Sequence, residues 1–126
     1  MANLIYSELS NQILSLAFSV HNILGPGLLE SCYEGALVIE LQKADISFQR
    51  QQVFPLYYKG EMVGGYIADL VVDSTVILEV KSVHALSPVM AAQLLNYLRL
   101  SGCPVGYLLN FNSTKLEWKR FVNQKE

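Results

Sequence analysis

Charge is scarce in this chain. Of 126 residues, 16% are Asp, Glu, Lys or Arg, against roughly 25% in an average soluble protein. Basic side chains are the scarcer kind. Nine Lys and Arg against eleven Asp and Glu give a net charge of −2, and the first of the nine is Lys43. Phosphate neutralisation supplies most nonspecific affinity for a duplex, so this balance is unusual for a protein that grips nucleic acid broadly. The late cluster Lys115, Lys119, Arg120 and Lys125 reads either as a solvated tail or as a phosphate-contacting edge. With 52% of residues hydrophobic, the charge deficit implies extra buried surface, hence a homodimer or another protein partner.

Other absences exclude whole classes of function. There are only two cysteines, Cys32 and Cys103, and no Cys-x-x-Cys spacing. An iron–sulfur cluster needs about four ligands, so the pair reads as reduced thiols of a cytoplasmic protein. No His-x-x-x-His or Cys–His spacing suggests zinc, and no G-x-S-x-G elbow suggests serine-triad chemistry. His21 falls in the last turn of an expected helix, where partial positive charge suits the dipole. His84 follows Lys81 by three residues. The longest apolar region, Ile13 to Leu29, is broken by Ser15, Ser19, His21, Asn22 and Gly25-Pro26-Gly27, which disfavours a membrane span. Met1-Ala2-Asn3-Leu4 has no basic region before an apolar core, so no signal peptide is expected. One domain spanning residues 1–126 is expected at this length, without repeats, linkers or low-complexity segments.

Periodicity and punctuation give the elements. Leu9, Ile13, Leu16, Ala17 and Val20 predict a helix over Ser7–Leu24, ended by Gly25-Pro26-Gly27. Glu30, Tyr33, Leu37 and Leu41 share one stripe of a second helix over Leu29–Ala44. Strands are expected at Phe48–Tyr58 and Met62–Val72, joined by a Lys59-Gly60 turn. Pro55 suggests an edge strand, and Gly64-Gly65 a bulge or a close backbone approach. Gln49, Arg50, Gln51 and Gln52 read as a solvated strand end or a nucleic-acid contact. A third strand covers Thr75–Val83. Ser87 and Pro88 open a helix running to Leu100 and ending at Gly102. Val105–Phe111 and Leu116–Phe121 are the closing strands. The fold class is α/β: a mixed central sheet flanked by helices, in order α-α-β-β-β-α-β-β.

Chemistry concentrates on two apolar strands. Ile67-Ala68-Asp69-Leu70-Val71-Val72 is followed by a two-residue turn, Asp73-Ser74, then Thr75-Val76-Ile77-Leu78-Glu79-Val80-Lys81. Buried strands rarely carry charge unless it is paired or bound to a metal. Residues two apart share a face, so Glu79 and Lys81 point one way, and a hairpin could bring Asp69 beside them. Two hard oxygen ligands suit Mg²⁺ or Mn²⁺, and a neighbouring ammonium suits a phosphate or a water being deprotonated. The plain rival is a structural ion pair. Asp73 is a weaker candidate, since Asp is common in turns.

An Asp followed by Glu-x-Lys on the next strand resembles the PD-(D/E)xK nuclease superfamily. Gly27-Leu28-Leu29-Glu30-Ser31-Cys32-Tyr33 matches the G-x-x-E-x-x-Y signature of its small GxxExxY proteins. Gln93-Leu94-Leu95-Asn96-Tyr97 resembles a Q-x-x-x-Y helix motif of its exonuclease-like branch, and Leu108-Leu109-Asn110-Phe111 its final core strand. The likeness covers roughly residues 8 to 122, with Ala68 in place of the proline of the superfamily's name. It implies a restriction-endonuclease-like fold and Mg²⁺- or Mn²⁺-dependent phosphodiester cleavage in nucleic acid. Asp69 and Glu79 would then bind metal, with the Val80 carbonyl and Glu30 as further ligands. Lys81 would act on the water or on developing charge. Gln93 would support from a helix, as would Tyr97, which shares its face. Residue chemistry alone also gives Glu30 a helix-dipole role and Tyr33 a packing role. A catalytically inactive nuclease-fold module, used for protein interaction or nucleic-acid binding, is the alternative.

Overall fold

The computed structural model describes residues 6–123, so Met1–Leu4 and Lys125 lie outside it. The elements are α1 (Ser7–Leu24), α2 (Glu30–Lys43), β1 (Phe48–Tyr58), β2 (Glu61–Val72), β3 (Val76–Lys81), α3 (Pro88–Ser101), β4 (Val105–Asn110) and β5 (Glu117–Val122). They come in the expected order. The five strands lie side by side in sequence order, with β3 and β4 parallel and every other pair antiparallel. The α3 crossover is what permits the parallel pair.

Helices cover both faces. On one side Ile13, Ala17 and Val20 of α1 and Tyr33, Leu37 and Leu41 of α2 bury against Val76, Leu78, Val80 and Leu109. On the other side Leu94 and Leu98 of α3 pack on Ile77 and Leu108. The second contact depends on Gly106. A Cβ there would lie 3.1 Å from side-chain carbons of both Leu94 and Leu98, so a larger residue would push α3 off the sheet. Ser87 caps α3, accepting from the Met90 N–H at 3.3 Å.

The Lys59-Gly60 turn is as expected, whereas the β2–β3 connection is one residue longer than expected: Val72 pairs with Val76, so Thr75 belongs to the turn and β3 begins at Val76. Lys59 and Gly60 both have positive φ, as do Asp73 and Ser74, the pattern of tight primed turns. β1 is an edge strand, as Pro55 requires. Gly65 sits opposite Pro55, where a Cβ would meet the Phe54 carbonyl oxygen at 3.0 Å, and the register shifts between Leu56 and Tyr57.

Two further expectations need correction. β3 ends at Lys81, not Val83. Beyond it the backbone finds side-chain partners: the Ser82 N–H donates to Glu30 at 3.1 Å, and Val83 exchanges two hydrogen bonds with the Asn110 amide at 3.1 and 3.0 Å. In addition, Ile67 is 55% exposed, although its strand reads as buried. β2 pairs with β3 only over Leu70–Val72, so Ile67 lies on a hairpin arm that extends past the central sheet.

Candidate active site

Asp69 marks the point where β2 parts from β3. The ladder between them stops at Leu70 and Leu78. Tyr66 and Ala68 pack on the α3 side, whereas Leu70 and Val72 pack on the α1–α2 side. Strict alternation is therefore broken at Asp69. The break frees the Val80 N–H, and Asp69 Oδ2 accepts it at 2.8 Å. The chain thus replaces a ladder bond with a side-chain bond, which fixes one carboxylate oxygen against β3. Across the sheet Gln51 also drops out of the β1–β2 ladder, opposite Asp69, in the left-handed region at φ 55°.

Glu79 is 7% exposed. The Tyr66 hydroxyl donates to its Oε2, and Lys81 Nζ lies 4.0 Å from its Oε1. Tyr66 is itself braced, stacking on Tyr97 of α3 with ring centroids 3.5 Å apart and on Phe54 at 6.0 Å. Burial pushes the Glu79 carboxyl up to about 7, and the Asp69 charge adds to the rise. Burial also raises Asp69, opposed by the Val80 N–H and reinforced by Glu34 and Glu30. Tyr66 is raised too, by burial first and then by Glu79. The centre is electronegative: the buried Glu79 and half-buried Asp69 carboxylates repel each other, and Lys81 only partly offsets that.

The G-x-x-E-x-x-Y segment has a clear architectural use. The Tyr33 hydroxyl donates to the Gly25 carbonyl at 2.6 Å and accepts from the Leu28 N–H at 3.1 Å, while its ring stacks on Phe111. The Gly27 N–H donates to Asn112 Oδ1 at 3.1 Å. The α1–α2 loop is thereby tied to the ends of β3 and β4, where Glu30 can reach Ser82. His21 joins this tie: it is buried, and its Nε2 donates to the Ser113 carbonyl at 2.9 Å. A specific hydrogen bond explains its position better than the helix dipole alone.

Gln93 is exposed on α3, one turn before Tyr97, and His84 is exposed in the loop after β3. Asp73 is exposed in its turn, near Ser47 Oγ at 3.4 Å. Lys115 and Lys119 are exposed on the far edge around β5. The polar run in β1 is not simply solvated. Arg50 Nε donates to Glu34 at 2.7 Å, and Gln51 Nε2 reaches both Glu34 oxygens at 3.0 and 3.1 Å. Sequence reasoning missed Glu34, Tyr66 and Asn110. Glu34 sits one turn beyond Glu30 on the same helix, the one signal that pointed to it.

The fit to a divalent cation turns on donor chemistry. Among the described residues no group of three or more His, Cys, Asp or Glu side chains is placed to hold an ion. Two carboxylates do converge, Asp69 and Glu79, each raised by burial. Mg²⁺ commonly takes one or two carboxylates and fills its remaining positions with water and substrate phosphate. The residues present therefore fit Mg²⁺ or Mn²⁺ better than a metal needing an all-protein cage.

No curated protein and no solved structure gives a significant match. A family model described as the PD-(D/E)XK nuclease superfamily matches residues 7–121, nearly the whole described chain. The mixed sheet flanked by helices is consistent with that match, and the chain belongs to the PD-(D/E)XK nuclease superfamily.

Proposed function

We propose that this chain is a Mg²⁺- or Mn²⁺-dependent nuclease of the GxxExxY type, hydrolysing phosphodiester bonds in nucleic acid. The observation that carries the reading is the pair Asp69 and Glu79, held at a strand parting with Lys81 4.0 Å from Glu79. Asp69 and Glu79 would hold the cation, with the Val80 carbonyl as a further ligand and Glu30, whose carboxylate accepts from the Ser82 N–H, acting through a metal-bound water. A cation bound there supplies Lewis acidity toward a phosphoryl oxygen and makes a water more acidic. Lys81, with its side chain 23% exposed, orients the attacking water and stabilises negative charge developing on the phosphate. Tyr66 takes one Glu79 oxygen and leaves the other for the cation. Tyr97 braces Tyr66, Tyr33 anchors the loop that carries Glu30, and Gln93 is open to a bound phosphate. The test is cleavage of single-stranded and duplex DNA and RNA with and without Mg²⁺ or Mn²⁺. Metal-dependent cleavage lost in Asp69→Asn is expected. Absence of cleavage on every substrate would favour a catalytically inactive interaction module, the reading to which the net charge of −2 lends weight.

Tyr66→Phe isolates the brace on Glu79. The ring stack survives and only the hydroxyl is lost. Outer partners of metal ligands typically account for about 10- to 100-fold in affinity or activity. A loss of that size in Mn²⁺ affinity, with little change in the circular dichroism spectrum, is expected. A lowered melting temperature with unchanged metal dependence would make Tyr66 purely structural.

Self-association and a cytoplasmic setting complete the proposal. Val53 and Ile67 face each other on the β1–β2 arm and are 57% and 55% exposed. Cys32 and Cys103 are free thiols. Light scattering is expected to report a two-fold dimer at micromolar concentration, and a monomer at high micromolar concentration would contradict it.

A further inference from the structure

We propose that the cavity between the β1–β2 arm and α3 binds one unpaired nucleobase of the substrate strand and an adjoining phosphate. The inference rests on the nuclease reading above and deepens it, because it specifies single-stranded nucleic acid beside the cleavage centre.

The cavity has a volume of about 560 Å³ and is lined by Leu56 and Gly65 from the arm, Tyr66 at the sheet, and Asn96, Tyr97 and Arg99 from α3. That size lies within the usual range for small-molecule pockets, about 300–1,000 Å³. It adjoins the acidic centre through Tyr66, whose hydroxyl is on Glu79. Its own lining contains no carboxylate. A polyanion that must approach Asp69 and Glu79 therefore meets next to them an acid-free wall carrying one cation, Arg99.

The lining matches a nucleobase in kind. Tyr66 stacks on two other aromatic rings, Phe54 and Tyr97. Tyr97 is half-buried, and its ring stacks on Tyr66. Tyr66 and Tyr97 both line the cavity, so a bound base would meet this pair of stacked rings. Aromatic stacking tolerates any base, since every base has a π-face. Arg99 and Asn96 are exposed and bonded to each other, guanidinium to amide oxygen. That arrangement holds the guanidinium at the cavity, where it can meet a phosphate oxygen, and leaves the Asn96 amide nitrogen for a base edge. A paired base keeps its faces in the duplex stack, so the site selects an unpaired one.

The experiment measures binding of short single-stranded DNA and RNA, their duplexes, and single strands carrying one abasic residue at successive positions. Ca²⁺ replaces Mg²⁺ to hold back cleavage. Wild type is expected to prefer single strands. One abasic position should weaken binding about tenfold or more. Arg99→Gln should lower affinity and reduce the salt dependence by about one phosphate, roughly 0.7 in the logarithmic slope. Leu56→Asp, which places a carboxylate in the acid-free lining, should also weaken binding. Lys43→Gln, with the same change in net charge at the far end of α2, should not. Equal binding of duplex, or no abasic effect with Arg99→Gln matching Lys43→Gln, would overturn the inference. If metal-dependent cleavage persisted in that case, the nuclease reading would stand without the pocket. If wild type neither bound nor cleaved any of the strands, both would fall.

Discussion

Replacing Glu79 by glutamine is expected to abolish metal-dependent cleavage and, without metal, to make the protein more stable at pH 8. Burial pushes the Glu79 carboxyl from 4.5 to about 7. The folded protein thus keeps a proton that the unfolded chain releases. The associated stability is fully present below pH 4.5 and is lost as pH rises through 7. A rise of that size corresponds to roughly 3 kcal/mol, or a melting shift of about ten degrees in a domain this small. Glutamine is neutral and can still accept from Tyr66, so the variant escapes the loss. Melting curves should nearly coincide at low pH and separate at pH 8, with wild type lower. Mn²⁺ at pH 8 should raise the wild-type curve and leave the variant unmoved. A structural ion pair with Lys81 predicts the reverse order at pH 8, because the variant would strand a half-buried ammonium.

Lys81→Ala is expected to separate binding from chemistry. Its ammonium lies 4.0 Å from Glu79 Oε1 and so competes with a cation for the same carboxylate. Removing it relieves that repulsion, and Mn²⁺ affinity should hold or tighten. Cleavage at saturating metal should fall by about 100- to 1,000-fold, the scale for losing one group aimed at developing charge. The loss should appear in kcat with KM little changed, the mark of an interaction made only in the transition state. Loss of metal affinity in parallel with kcat would instead give Lys81 a role in holding Glu79.

Element order and most boundaries were legible because hydrophobic periodicity, Gly25-Pro26-Gly27, Lys59-Gly60 and Ser87-Pro88 are local signals. The β2–β3 hairpin itself was legible, but its register was not: a two-residue turn would pair Val72 with Thr75, whereas Val72 pairs with Val76. What stayed hidden depended on the third dimension. Tyr66 reads as one more apolar residue until β2 breaks alternation at Asp69 and turns it toward Glu79. Glu34 reads as a helix-surface acid until Arg50 and Gln51 of β1 close on it. Asn110 reads as a strand end, yet it is fully buried and holds Val83, Glu117 and Asn112. Side-chain bonds between segments distant in sequence leave no trace in periodicity. The same limit produced the error on β3, whose apolar run continues past the point where Glu30 and Asn110 take over its backbone groups.

Titration calorimetry with Mn²⁺ on wild type, Asp69→Asn and Lys81→Ala at pH 8 tests the central claim most directly. The account predicts saturable binding by wild type at or below millimolar concentration, loss of that binding in Asp69→Asn, and equal or tighter binding in Lys81→Ala. Heats no greater than dilution for wild type, with both variants merely melting earlier, would contradict it and leave a nuclease fold serving as an interaction module.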